Sequence, residues 1–206
     1  MNPLSSLRLL VPVLTAALAL PAQELPKPGP QHEKLAASAG TWDTVAESIG
    51  MDGKPLTDRG VSVKKMALGG FWLIDDFEST WAGMPFHGHG MTGYDPIKQK
   101  YVSTWTDSMS PHLMVMEGDY DASGKVLTMT GMGIGMDGQP AMYKMVLTTK
   151  DKDTEVFEMY MTPKGGEEMK AITITYTRRK GDKAVEASAD KRKPHKEPAK
   201  EDGGKE

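Results

Sequence analysis

Between residues 40 and 178 the chain repeats one pattern: short runs rich in β-branched, aromatic and methionine residues, each ended by turn residues. Five such runs cover 42–49, 59–66, 71–81, 85–93 and 101–107, and five more cover 112–120, 126–131, 141–148, 155–161 and 171–178. Asp52-Gly53, Ala82-Gly83, Asp95-Pro96, Ser123-Gly124, Asp137-Gly138 and Gly165-Gly166 punctuate them. Glycine at such places supplies the positive φ that tight hairpins demand. In the last run Ile172, Ile174 and Tyr176 alternate with Thr173, Thr175 and Thr177, giving one apolar and one polar face. About ten short strands, with no room for crossover helices, predict an all-β antiparallel meander.

A meander this long exposes two edges if it stays flat, and closing it removes both. The expected fold is therefore a single up-and-down β-barrel, with a β-sandwich as the alternative that strand spacing leaves open. Residues 31–39, opened by Pro30 and closed by Gly40, suit a short N-terminal helix lying across one mouth. Gly40, Trp42 and Arg178 favour closure over the sandwich. Gly40-Thr41-Trp42 opens the first strand and Arg178 ends the last, so a closed barrel sets the guanidinium on the indole. An early G-x-W with a late arginine is a signature shared with lipocalin-like (calycin) barrels.

A longer set of motifs carries a second resemblance. Leu68-Gly69-Gly70-Phe71-Trp72-Leu73, Gly83-Met84-Pro85-Phe86, Gly88-His89-Gly90 and Gly93-Tyr94-Asp95 occur in order. Tyr101-Val102, Trp105, Asp107-Ser108-Met109-Ser110, Glu117-Gly118-Asp119-Tyr120-Asp121 and Tyr176-Thr177-Arg178 follow. This series resembles an exported bacterial family of unknown function with a lipocalin-like barrel, across roughly residues 35–178. The resemblance implies the fold and export, and brings no activity or catalytic residue with it.

The two ends are of another kind. Residues 1–22 read as a signal peptide: Arg8 precedes an apolar run over 9–20, and Pro21-Ala22-Gln23 offers a cleavage site. Twelve apolar residues are too few to span a bilayer, so no membrane span is expected in the mature chain. The chain has no cysteine, which removes a lipoprotein anchor, a disulfide frame and a thiolate metal site. Residues 23–34 form a proline-rich linker and the helix start, 35–180 the barrel domain, and 181–206 a charged tail expected to be disordered. The expected location is periplasmic or secreted. A net charge of -3 and a pI near 6.0 argue against nucleic acid as a partner.

Candidate chemistry is sparse. His87 and His89 share one strand face, and with Asp107, His112 or the pair Met114 and Met116 they suggest a copper or zinc site. Neither spacing nor sequence supplies a definite third ligand, so no metal is expected. Nitrobindin-like ten-stranded barrels hold haem through a late histidine; this chain has none between His112 and His195, and no cofactor is expected. Acid–base catalysis by His89 with Asp107 is a further alternative, which requires the two side chains to converge. Asp75 shares a face with Leu73 and Phe77, so an inward orientation would desolvate it and raise its pKa. The leading expectation is a non-enzymatic barrel that binds a small apolar or amphipathic molecule. Its lining candidates are Trp72, Tyr101, Trp105 and Met116, with His89 and Asp107 as polar anchors.

Overall fold

The computed structural model describes residues 25–50, 53–135 and 137–181. The expected signal peptide, residues 23–24 of the linker and all but the first residue of the expected tail lie outside the described residues. A helix, α1 (Pro30–Ala37), precedes ten strands. They are β1 (Gly40–Ile49), β2 (Pro55–Ala67), β3 (Trp72–Trp81), β4 (Met84–Asp95) and β5 (Lys100–Asp107). The second half holds β6 (Ser110–Tyr120), β7 (Val126–Ile134), β8 (Pro140–Asp151), β9 (Thr154–Pro163) and β10 (Met169–Arg178). Each strand pairs antiparallel with its chain neighbours, and β10 pairs with β1 to close the barrel. The sandwich alternative is thereby excluded.

Local chemistry explains the short connections. Ala82 and Gly83 both carry positive φ, 50° and 81°, in the two-residue loop between β3 and β4. Two left-handed residues in succession match the right-handed strand twist, the geometry of a type I′ hairpin. Alternate residues then face inward. On β10 these are Ile172, Ile174 and Tyr176, as the alternation predicts, while on β3 they are Leu73, Asp75 and Phe77. On strand β2 the polar side chains turn inward: Asp58, Ser62 and Lys64 are buried, whereas Val61 and Val63 are only half-buried.

Closure is sealed where β10 meets β1. Trp42 and Arg178 are register partners, and the guanidinium carbon lies 4.0 Å from the centroid of the Trp42 ring. Arg178 also donates through Nη1 to Ala39 O at 2.6 Å and through Nη2 to Ala37 O at 2.8 Å. It thus satisfies carbonyls that the end of α1 leaves without intrahelical partners. A Cβ on Gly40, whose φ is 140°, would sit 2.4 Å from Arg178 Nη1, so only glycine admits this arginine.

Helix α1 closes one end of the barrel. Leu35 inserts into a cluster with Leu73, Tyr101, Met116, Leu127 and Met129. Tyr101 donates its hydroxyl to Gln31 O at 3.2 Å and stacks edge-on between Tyr94 and Tyr120. A second cluster of Trp42, Phe77, Ile174 and Tyr176 packs along the closing strands. The opposite end, carrying the β3–β4, β5–β6, β7–β8 and β9–β10 hairpins, has no such cover among the described residues.

Candidate functional site

The two clusters do not fill the barrel. Between them lies a cavity of about 450 Å³, within the range of small-molecule sites. Its aromatic wall comes from β3, β4, β5 and β10. Phe77 is the hub, with ring centroids 6.0 Å from Phe86, 6.2 Å from Trp105 and 6.5 Å from Tyr176, all edge-on. The facing wall is methionine and leucine: Met114 and Met116 from β6, Met145 and Leu147 from β8, Met159 from β9. Thioethers on unbranched stems suit a wall that must adapt to its contents.

Trp105 can lie against β4 because that strand lacks side chains beneath it. A Cβ on Gly88 would come 2.2 Å from Trp105 Cζ2, and one on Gly90 3.1 Å from Trp105 Cε3. The Gly88-His89-Gly90 motif is therefore a seat for an indole, with His89 turned the other way. His89 lies on the outer surface, its Nδ1 2.7 Å from Asp76 Oδ1, and both side chains are about half exposed.

Polar groups gather on the inner wall between β1, β2, β3 and β9. Lys64 Nζ lies 2.9 Å from Glu155 Oε2, with both side chains at 6% exposure or less. Glu155 Oε1 accepts a short hydrogen bond from Ser38 Oγ, and the Lys64 ammonium lies 4.2 Å from the Tyr176 ring centroid. Asp75 Oδ1 accepts from Ser62 Oγ at 2.6 Å. Burial pushes the Asp75 carboxyl above its ordinary value, outweighing the nearby Lys64 charge and the Ser62 hydrogen bond. Burial likewise drives the Tyr176 hydroxyl well above its ordinary value. Thr44 Oγ1, buried on the inner wall of β1, has no hydrogen-bond partner among the described residues.

The residues expected from sequence separate into groups. Trp105, Asp107 and Met116 line the cavity. Tyr101 faces inward but is only 4% exposed, packed beneath α1, where it serves the closed end. Trp72 does not line the cavity: it packs on the outer surface, where a Cβ on Gly93 would lie 2.4 Å from its ring. His89 is also outside, so its expected role as an internal anchor is corrected. Asp107 is inside near the mouth and already engaged: Oδ1 accepts from the Met109 and Ser110 amides, and Oδ2 from Trp105 Nε1.

These placements dispose of two alternatives. His89 and Asp107 lie on opposite faces of the sheet, so they cannot share a proton across one substrate. His87 and His89 face outward while His112, Met114 and Met116 line the cavity, so the expected copper or zinc ligand set does not converge. No cluster of three His, Asp or Glu groups suited to a metal is found among the described residues. Lys64, Glu155 and Ser62 were not expected. Their signal in the sequence was weak, because a lysine beside Val63 reads as the solvent face of a strand.

A closed ten-stranded barrel around an internal cavity, capped by a short N-terminal helix, defines a lipocalin-like barrel protein. The chain belongs to a family described as proteins of unknown function, DUF1579, whose model matches residues 27–178. Comparison with curated proteins gives no match. Among solved structures it is similar to Rv2717c from M. tuberculosis, at 13% identity and a TM-score of 0.54, covering 73% of this chain and 98% of that one. It is also similar to the S-type phycobiliprotein lyase CPES from Guillardia theta, at 12% identity and a TM-score of 0.50, covering 74% and 99%. At these identities the likeness concerns the fold alone.

Proposed function

We propose that this protein is an exported carrier that holds a small amphipathic ligand inside its barrel. The observation that supports the reading is the cavity itself: about 450 Å³ of space where a purely structural barrel would be packed with its own side chains. Its walls are mostly aromatic, aliphatic and thioether, with charged groups at Lys64, Asp75 and Asp107, a composition that can solvate an apolar body and orient a polar end. Ile49, Met84, Met109, Ile134, Met142 and Met169 are exposed on strand ends and hairpins around the uncovered mouth. Apolar residues at that place favour entry of an apolar molecule from a surface or another carrier.

Titration of the purified protein with a panel of lipophilic compounds tests this. The expected result is a saturable change in tryptophan emission, because Trp105 lines the cavity, accompanied by a rise in Tm for each compound that binds. Replacing Trp105 with Phe should remove most of the emission change while leaving the Tm shift. A panel that leaves both emission and Tm untouched would overturn the carrier reading.

Export belongs to the same proposal and is tested separately. Expression of the full chain in a bacterial host should yield a periplasmic product beginning at Gln23. An unprocessed product confined to the cytosol would remove it.

A further inference from the structure

The polar end of the cavity specifies more than amphipathic character. The inner wall carries the acidic groups Asp58, Asp75, Asp107 and Glu155 against a single lysine, Lys64, among the described residues. Each of the four accepts at least one hydrogen bond. Glu155 is paired with Lys64, Asp58 accepts from Thr80 Oγ1 at 2.6 Å, and Asp107 takes the three donors described above.

Asp75 is different. Unlike Asp58 it lines the cavity, and beyond the hydrogen bond that its Oδ1 accepts from Ser62 no side-chain hydrogen bond or ion pair within 4 Å engages it among the described residues. Protein surrounds the side chain, yet it keeps accessible surface, because that surface faces the cavity rather than bulk water. Such a group stays costly until something in the cavity answers it.

The surroundings indicate what that something is. A Cβ on Gly90 would lie 3.1 Å from Trp105 Cε3 and 3.6 Å from Asp75 Cβ, so the glycine lets the indole and the Asp75 side chain lie close together on the cavity wall. Phe77, two residues along the same strand face, and Tyr176 complete the aromatic border. Aromatic faces beside a carboxylate attract cations through the ring quadrupole and the charge together. Lys64, the register partner of Asp75, is the nearest cation, and its ammonium is held by Glu155 at 2.9 Å and not by Asp75.

We propose that the cavity selects organic cations: amphipathic amines whose ammonium group sits between Asp75 and the Trp105 and Phe77 rings, with the apolar body against the methionine wall. This rests on the carrier reading and adds the chemical class of the ligand. An ammonium there would pair with a cavity-lining carboxylate that has no ion-pair partner among the described residues. An anionic head would instead meet Asp75 and Glu155.

The test uses three probes of one chain length, octylammonium, octanoate and octanol, titrated calorimetrically into the full-length protein at neutral pH. Octylammonium should bind about ten-fold or more tightly than the other two. Asp75→Asn should abolish that preference while leaving octanol binding within about two-fold, since the apolar wall is unchanged. A second measurement needs no variant. As pH falls and Asp75 takes up a proton, the octylammonium preference should shrink. The charged and titratable groups acting on Asp75 are Lys64 on β2, Asp76 beside it on β3, Glu155 on β9 and Tyr176 on β10, while Gly90 on β4 contributes none. Binding of octanoate or octanol at least as tight as octylammonium would overturn the cation assignment and leave the carrier reading standing. Failure of all three to bind would overturn both.

Discussion

Lys64 and Glu155, 91 residues apart in the chain, form an ion pair sealed inside the barrel at 2.9 Å. The pair joins β2 to β9 across the lumen, and Ser38, just beyond α1, hydrogen-bonds the same carboxylate. Through it the closed end of the cavity is held by charge as well as by packing.

Lys64→Met leaves Glu155 buried without its partner and is expected to destabilise the fold by about 3–5 kcal/mol. The double replacement Lys64→Met with Glu155→Leu removes both charges and should recover most of that loss. Urea unfolding of the two variants and the parent checks this. A double variant as unstable as the single one would mean that the ion pair itself, not the orphaned charge, sets the cost.

Arg178→Ala removes the stacking on Trp42, worth about 1–2 kcal/mol when desolvated, and the hydrogen bonds to Ala37 O and Ala39 O. A total loss of roughly 2–3 kcal/mol is expected from these contacts together. Lysine should not rescue it, because an ammonium lacks the planar fork that stacks and reaches two carbonyls at once. Thermal unfolding of Arg178→Ala and Arg178→Lys reads both effects.

Gly88→Ala places a methyl group where the Trp105 indole lies, with a Cβ contact of 2.2 Å to Cζ2. The indole must move into the cavity, at a cost of about 1–3 kcal/mol, and the emission of the protein should change. His89→Ala, one residue on, removes an exposed pair with Asp76 and should cost about 0.5 kcal/mol or less. The two variants differ in which face of the sheet they touch, and only the first should alter ligand binding.

Asp75 gives the fold a pH dependence of definite sign. Its carboxyl has a raised pKa in the native state against an ordinary value of 3.8. Between those two values the native protein binds more protons than the unfolded chain, so stability falls as pH rises through the window. The contribution is fully present below 3.8 and is lost by the time pH passes the folded-state value. Asp75→Asn should flatten this part of the stability profile, measured by urea unfolding at a series of pH values.

Much of the architecture is legible in the sequence. Turn residues marked the hairpins because a left-handed φ is nearly confined to glycine and a few others, and the strands between them appear where the pattern predicts. Strand β2 begins earlier than expected, at Pro55, and the helix ends at Ala37 instead of 39. The pairing of Trp42 with Arg178 was also legible, since both residues are forced to the seam once the meander closes. Asp75 and Phe77 fall on one face, because a strand separates faces with a strict period of two.

What the sequence determined by itself, then, was the number of strands, their order, and which residues share a face. Only the tertiary structure decided which face looks inward. A period of two does not carry that choice when both faces are mixed, as on β2, where Val61 and Val63 turn toward solvent and Ser62 and Lys64 turn in. The buried lysine is tolerated because Glu155 arrives from a distant strand, and that compensation exists only after closure. The same event turned His89 outward and Asp75 inward, converting a run of alternating residues into the wall of a cavity.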